Sequence, residues 1–452
     1  MINTAYRAID EHAEELEKLA LDIWDNPEMG WKETKAVAWT AEVLKANGFE
    51  TEVGAYGMPT AIRAVWGSGK PVVGLAAEYD CLPGLSQQHC SFHNPVVEGG
   101  DGHGCGHNLL GAGCLGACIG LKAVLEEEKL PGTVIFYGCP AEEQLTGKGF
   151  MARNGAFEEC DFTITWHPST VSHDTVGPHT GVEGAFFDFY GKTSHAAGAP
   201  HNGRSALDAA QLMNLGVEFL REHVTSDVRM HYIYTDGGLA PNIVPDHAQV
   251  KYFVRALTRE ATIDAFNRVV KCAEGAAHMT ETTMKITKLG GIYPTLQNHV
   301  IAQAVQEARA EIPLNEYTEE ELKFADELNS HSSLYTPDTK PLNYEDQELR
   351  SNNVYGSTDY GDVEHICPGF QVNECTTNSL APGHSWMVTA SCGSTYGLKG
   401  MLRAAKIMAG GAYRIMADPE RLEAAKKEFR ESMGGRVYQC PIGEDIEWPY
   451  KD

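Results

Sequence analysis

Three apolar runs, at 71–77, 133–139 and 161–166, each stop at residues that carry chemistry, and this pairing restricts the fold more than any other feature. The first leads into Glu78-Tyr79-Asp80, the second into Pro140-Ala141-Glu142-Glu143, and the third into His167-Pro168. Continuous apolar runs of this length belong to strands buried on both faces. Sites in open α/β sheets lie at the carboxyl ends of strands, so polar groups repeated there argue for one site. A Gly-rich stretch at 102–108, GHGCGHN, precedes an apolar helix expected over 108–128. The alternation of strand and helix predicts an α/β domain with a mostly parallel sheet.

Cys105 and His107 stand two apart in that Gly-rich loop, where both side chains can converge free of helix or strand constraint. His103 is a further candidate. Neutral imidazole, thiolate and carboxylate together suit a borderline-soft divalent cation such as Zn²⁺. Glu142 and Glu143 follow Pro140, so the strand has ended and the two carboxylates need not point to opposite faces. Metal-assisted hydrolysis uses one carboxylate as ligand and a second, unligated one to carry protons. The residues therefore point to a metal-dependent hydrolase. No Gly-x-Ser-x-Gly elbow or phosphate-binding Walker loop is present. A Cys–His nucleophile pair built on Cys105 stays open, but it leaves Glu142, Glu143 and His167 without a task. Most other cysteines, Cys114 and Cys118 among them, read as packing residues.

Helices are expected at 6–25 and 34–47, with a long loop rich in Gly, Pro, His and Ser over 81–104. From about 184 the pattern changes to strand 185–190, helix 203–223, strands 228–235 and 248–256, helix 261–277 and strand 283–289. That order, β-α-β-β-α-β, is ferredoxin-like and predicts a compact inserted domain at 184–293. Residues 1–183 and 294–452 would form the metal-binding α/β domain around it. Residues 311–353 are polar and read as a surface loop or lid segment. Gly383-His384-Ser385 opens a last candidate site before helices at 390–409 and 419–431.

Charge narrows the partners. With 62 acidic and 36 basic residues the chain carries −26, which argues against nucleic acid or an anionic membrane as its main partner. No apolar run approaches the ~20 residues that span a bilayer, and the start leads into an acidic amphipathic helix, not a signal peptide. The 12 scattered cysteines fit reduced thiols, so the expected compartment is the cytoplasm.

In order along the chain, EYDCLPGL, GHGCGHN, GCPAEE, WHP, GKTSHAAGAPHNGRSALDA, GGLAPNIVP, GSTDYGDV and PGHSW together resemble the metallopeptidase superfamily of aminoacylases, carboxypeptidase G and bacterial amidohydrolases. The resemblance runs over nearly the whole chain. It implies a dinuclear site of two divalent ions, Zn or Mn, held by Cys105, His107, Glu143, His167 and His384, with Glu142 as general base. It further implies a lid that forms a homodimer, with His195 reaching the neighbouring subunit's site to stabilise the oxyanion, and Asn242 and Arg255 holding the substrate carboxylate. The implied reaction is hydrolysis of an N-acyl amino acid, an aryl-acyl glutamate such as p-aminobenzoyl-glutamate. A dipeptidase or aryl amine-releasing hydrolase on the same scaffold, or a non-catalytic metal-binding component of a hetero-oligomer, are the alternatives. Two departures stand out. Many relatives carry His-x-Asp where this chain has Glu78-Tyr79-Asp80, which puts Asp80 behind the ligands, and Asn108 stands where Asp is usual.

Overall fold

The computed structural model describes residues 2–444 and 446–447. A six-stranded sheet runs in the order β1 (Glu50–Val53), β2 (Ile62–Ser68), β4 (Gly132–Cys139), β3 (Val72–Glu78), β5 (Phe162–Ser169) and β12 (Gly369–Cys375). From β4 to β12 the pairings are parallel, while β2 joins β4 and β1 joins β2 antiparallel. The sheet is thus mixed, and parallel where the polar strand ends gather.

β3 and β4 are buried at every position. Alternate side chains of β4 enter two different cores, Val134 and Phe136 on one face and Ile135, Tyr137 and Cys139 on the other. The first face is covered by α1 (Asn3–Glu11), α2 (Ala13–Asp25), α4 (His107–Glu128), α8 (His299–Glu311) and α12 (Thr395–Met416). The second holds α5 (Gly147–Arg153) and α10 (Tyr360–Glu364). Helix α3 (Thr34–Ala46) packs beside α2, and α13 (Pro419–Met433) beside α8.

Helix α4 corrects one expectation. Among the described helices it alone is long and apolar enough to cross a membrane, and it is buried inside the protein as the core helix. Its glycines permit that burial: a Cβ at Gly111 would lie 2.8 Å from the Glu78 carbonyl oxygen. This close approach brings the start of α4 against the end of β3.

Three further boundaries differ from expectation. The first helix breaks at His12, whose ring donates to the Ala8 carbonyl at 2.8 Å. The helix expected at 390–409 is two, α11 (Trp386–Cys392) and α12, and Ser394 caps the second by accepting from the Gly397 N–H. The polar stretch 311–353 contains α9 (Glu319–Asn329), opened by a capping box between Thr318 and Glu321. It also contributes β11 (Arg350–Ser351), parallel to β6 (Thr175–Val176). Arg309 and Arg403 clamp its Asp346 at 3.2 and 2.7 Å, so this segment is anchored to a buried ion network that includes Asp174 and Glu374.

A second sheet of four antiparallel strands has the order β10 (Thr283–Ile292), β7 (Gly181–Tyr190), β9 (His247–Ala256), β8 (Arg229–Asp236). Helices α6 (Ala206–Leu220) and α7 (Arg259–Thr280) cover one face, and Phe187, Tyr252, Met213 and Phe266 belong to a core of their own.

Candidate metal centre

The site assembles where β3, β4 and β5 end. Gly106 adopts a left-handed φ of +82°, which turns the loop so that His107 starts α4 directly behind Cys105. After β4 the chain turns at Ala141, also left-handed, and Glu142 and Glu143 begin a single 3₁₀ turn. His167 lies within β5, and His384 in the loop between β12 and α11.

Cys105 Sγ is 3.4 Å from His167 Nε2. His107 Nε2 lies 3.9 Å from Glu143 Oε1, and His384 Nε2 lies 3.7 Å from Glu143 Oε2. The ligand-type atoms of Cys105, His107 and His167 all fall within 4.8 Å of one another, as do those of Cys105, Glu143 and His384. Cys105 belongs to both groups. Two donor sets sharing a sulfur are suited to two neighbouring cations. A third set, Glu78, His107 and Glu142, is fully buried.

The orphaned atoms test the fit of a cation. His107 Nε2 and Glu143 Oε1 are buried and have no hydrogen-bond partner. Leaving such groups unpaired costs stability, and a cation between them removes that cost. Asp80 supplies the orientation. Its Oδ1 accepts from His107 Nδ1 at 2.8 Å, and its Oδ2 accepts from the Glu143 backbone N–H at 2.9 Å.

Burial raises both adjacent carboxyls. Burial, then the carboxylates of Glu78 and Asp359, push Glu142 well above the usual carboxylate range. Burial also raises Glu143, opposed by His107. Both shifts favour the protonated carboxyl, and burial is the largest cause of each. His103, the other histidine of the loop, does not join the cluster. Burial pushes it down to about 3, and its Nε2 bonds to the Ile23 carbonyl.

The model for the peptidase family M20/M25/M40 matches residues 74–327. One component of the p-aminobenzoyl-glutamate hydrolase of Escherichia coli K12 is 35% identical, over 98% of each chain. The Xaa-Arg dipeptidase of Mus musculus is 31% identical, over 94% of this chain and 91% of the relative. This chain belongs to the M20/M25/M40 peptidase family. Among solved structures, a Bacillus subtilis dinuclear metal-binding peptidase of the M20 family superposes with a TM-score of 0.63 at 19% identity, covering 90% of this chain and 99% of that one. The M20/M25/M40 chain is a metal-dependent hydrolase of amide bonds acting on a small molecule.

In this M20/M25/M40 hydrolase, Cys105, Glu142, Glu143, His167 and His384 open onto a cavity of about 830 Å³ that Arg255 also lines. The same chain does not bring His195 and Asn242 there. Arg255 pairs with Val182 at one end of the second sheet, whereas His195 and Asn242 lie beyond the far end, where Tyr190 pairs with His247. The eight residue steps from His247 to Arg255 span roughly 27 Å at about 3.4 Å each.

Residue type alone did not reveal Lys148. It is fully buried at the start of α5, between Glu78 and Asp359, 2.6 Å from the latter. Burial alone would raise Glu78, but the ammonium of Lys148 holds it below the usual range. The available signal was a lysine among small and apolar residues, GKGFMA, and an aspartate within GSTDYGDV.

Proposed function

We propose that this hydrolase cleaves the amide bond of an N-acyl amino acid, most specifically an aryl-acyl glutamate such as p-aminobenzoyl-glutamate. The observation that carries the reading is the pair of donor sets sharing Cys105, with Glu142 buried beside them. One divalent cation, Zn²⁺ or Mn²⁺, would be held by Cys105, His107 and His167, and a second by Cys105, Glu143 and His384. Bound there, they would supply Lewis-acid polarisation of the amide carbonyl and a lowered pKa for water. Glu142 takes the proton of the attacking water and returns it to the leaving nitrogen. Asp80 keeps the proton of His107 on Nδ1, so that Nε2 faces the cluster. Arg255 pairs with the carboxylate of the amino acid, a role supported by its buried, unpartnered Nε.

Residues 184–293 form, in this reading, a ferredoxin-like lid inserted between 1–183 and 294–452, and the lid makes a homodimer. Exposed Leu215 and Phe219 on α6, and Tyr234 on the edge strand β8, support that interface. His195 and Asn242, remote from their own cavity, then serve the partner's. The Nδ1 of His195 accepts from the Ala197 and Gly198 N–H groups at 3.2 and 2.9 Å. Its ring proton therefore sits on Nε2, free to stabilise the oxyanion. The twelve unpaired cysteines support the cytoplasm as compartment.

The test is hydrolysis by the purified chain alone, chelated and then given Mn²⁺ or Zn²⁺. Metal-dependent release of glutamate from p-aminobenzoyl-glutamate is expected. A chain that binds two metal ions yet leaves this amide intact would overturn the substrate. A requirement for a second gene product would favour the hetero-oligomer.

A further inference from the structure

The lid's inner face carries a feature that the hydrolytic machinery does not use. Along β9, side chains alternate between the lid core and the cavity. Tyr252 and Val254 enter the core, whereas Lys251, Phe253 and Arg255 line the cavity above the metal centre. Lys251 Nζ lies 5.3 Å from the centre of the Phe253 ring and 5.6 Å from that of Phe186. Arg255 Cζ lies 5.9 Å from the same Phe253 ring. Two cations thus flank one aromatic ring in the lining of a cavity that Glu142 and Glu143 also line.

Among the described residues neither cation has a carboxylate partner: no carboxylate oxygen lies within 4.0 Å of Lys251 or Arg255, and the Nη1 of Arg255 donates only to the Ser357 hydroxyl, at 2.8 Å. Burial alone lowers the Arg255 guanidinium. In a chain of net charge −26 the fully buried cations Lys148, Arg309 and Arg403 all have carboxylate partners, whereas the half-buried Lys251 and Arg255 have none among the described residues. Uncompensated positive charge on a cavity wall attracts an anionic ligand and repels a cationic one.

We propose that Lys251 selects a dicarboxylic amino acid on the amine side of the scissile bond. This rests on the amidohydrolase reading above. Arg255 takes the α-carboxylate, Lys251 the side-chain carboxylate of glutamate or aspartate, and the Phe253 ring sets the spacing between them. The same pair rejects lysyl and arginyl conjugates, which separates this chain from a dipeptidase that releases a basic residue.

The experiment uses the metal-loaded full chain and four p-aminobenzoyl amides, those of glutamate, aspartate, alanine and lysine. Wild type is expected to prefer the two acidic conjugates. Lys251→Met, which keeps the apolar stem over the rings, should raise KM for the glutamyl conjugate roughly 10- to 100-fold, as for loss of a hydrogen bond to a charged group. Its kcat, and both constants for the alanyl conjugate, should stay within about twofold. Lys251→Glu should move the preference toward the lysyl conjugate. Equal losses on glutamyl and alanyl conjugates, or a wild type that favours lysyl or alanyl amides, would overturn the role of Lys251 and leave the hydrolase reading standing. Cleavage of none of the four by the metal-loaded wild type would overturn both.

Discussion

Asp80 and His107 are joined by one hydrogen bond of 2.8 Å, from the ring Nδ1–H to Oδ1, and the other carboxylate oxygen holds the backbone N–H of Glu143. One side chain therefore orients two groups of the centre. Partners that fix a ligating imidazole typically contribute 10- to 100-fold in metal affinity, so Asp80→Ala should weaken binding by about that factor. Competition with a chelator of known affinity measures it. Unchanged affinity would show that α4 and the 3₁₀ turn hold His107 and Glu143 without help.

In the proposed mechanism Glu142 carries the proton, and it is absent from both Cys105 donor sets. Glu142→Gln should retain the metal content of wild type while kcat falls by roughly 10²- to 10⁴-fold. Metal analysis beside turnover separates the outcomes. Loss of metal along with activity would make Glu142 a ligand, as its buried group with Glu78 and His107 allows.

The proposed homodimer, in which His195 serves the partner's cavity, is tested by a mixed-dimer experiment. His195→Ala and Glu142→Gln homodimers should each be nearly inactive. Co-expressed, they should recover about a quarter of wild-type activity, because half of randomly paired C2 dimers are mixed and each has one intact site. No recovery in verified mixed dimers would place His195 outside the partner's site.

Away from the centre, burial pushes Glu364 up to about 8, and its Oε1 has no hydrogen-bond partner. A carboxyl whose folded pKa exceeds its unfolded value binds its proton more tightly in the folded state. Its contribution is fully present below the unfolded value near 4.5, and is lost as pH rises through the folded value. Glu364→Gln should therefore match wild type in denaturant midpoint near pH 4.5 and exceed it at pH 8 and above. Parallel midpoints across that range would show that water reaches the carboxylate.

Much of this protein could be read from local pattern. The apolar runs of β3, β4 and β5 were legible because strands buried on both faces read as near-continuous apolar runs. The second sheet was legible because its strands alternate and its helices keep helical spacing. Helix α9 was missed because a polar, acidic stretch reads as solvated loop, although Thr318 and Glu321 form a capping box three residues apart. The break at His12 left no Pro or Gly to mark it.

By itself the sequence determined the residue types of the centre, since thiol, imidazole and adjacent carboxylates at strand ends are chemistry that one dimension can carry. Tertiary structure decided which of them meet. Cys105 is shared by two donor sets, Lys148 is buried between Glu78 and Asp359, and Arg255 stands at the opposite end of the second sheet from His195. The reason is range. Periodicity reports what a residue does within its own helix or strand, whereas a metal centre is a set of distances between elements far apart in the chain, fixed only once the sheets have closed around their cores.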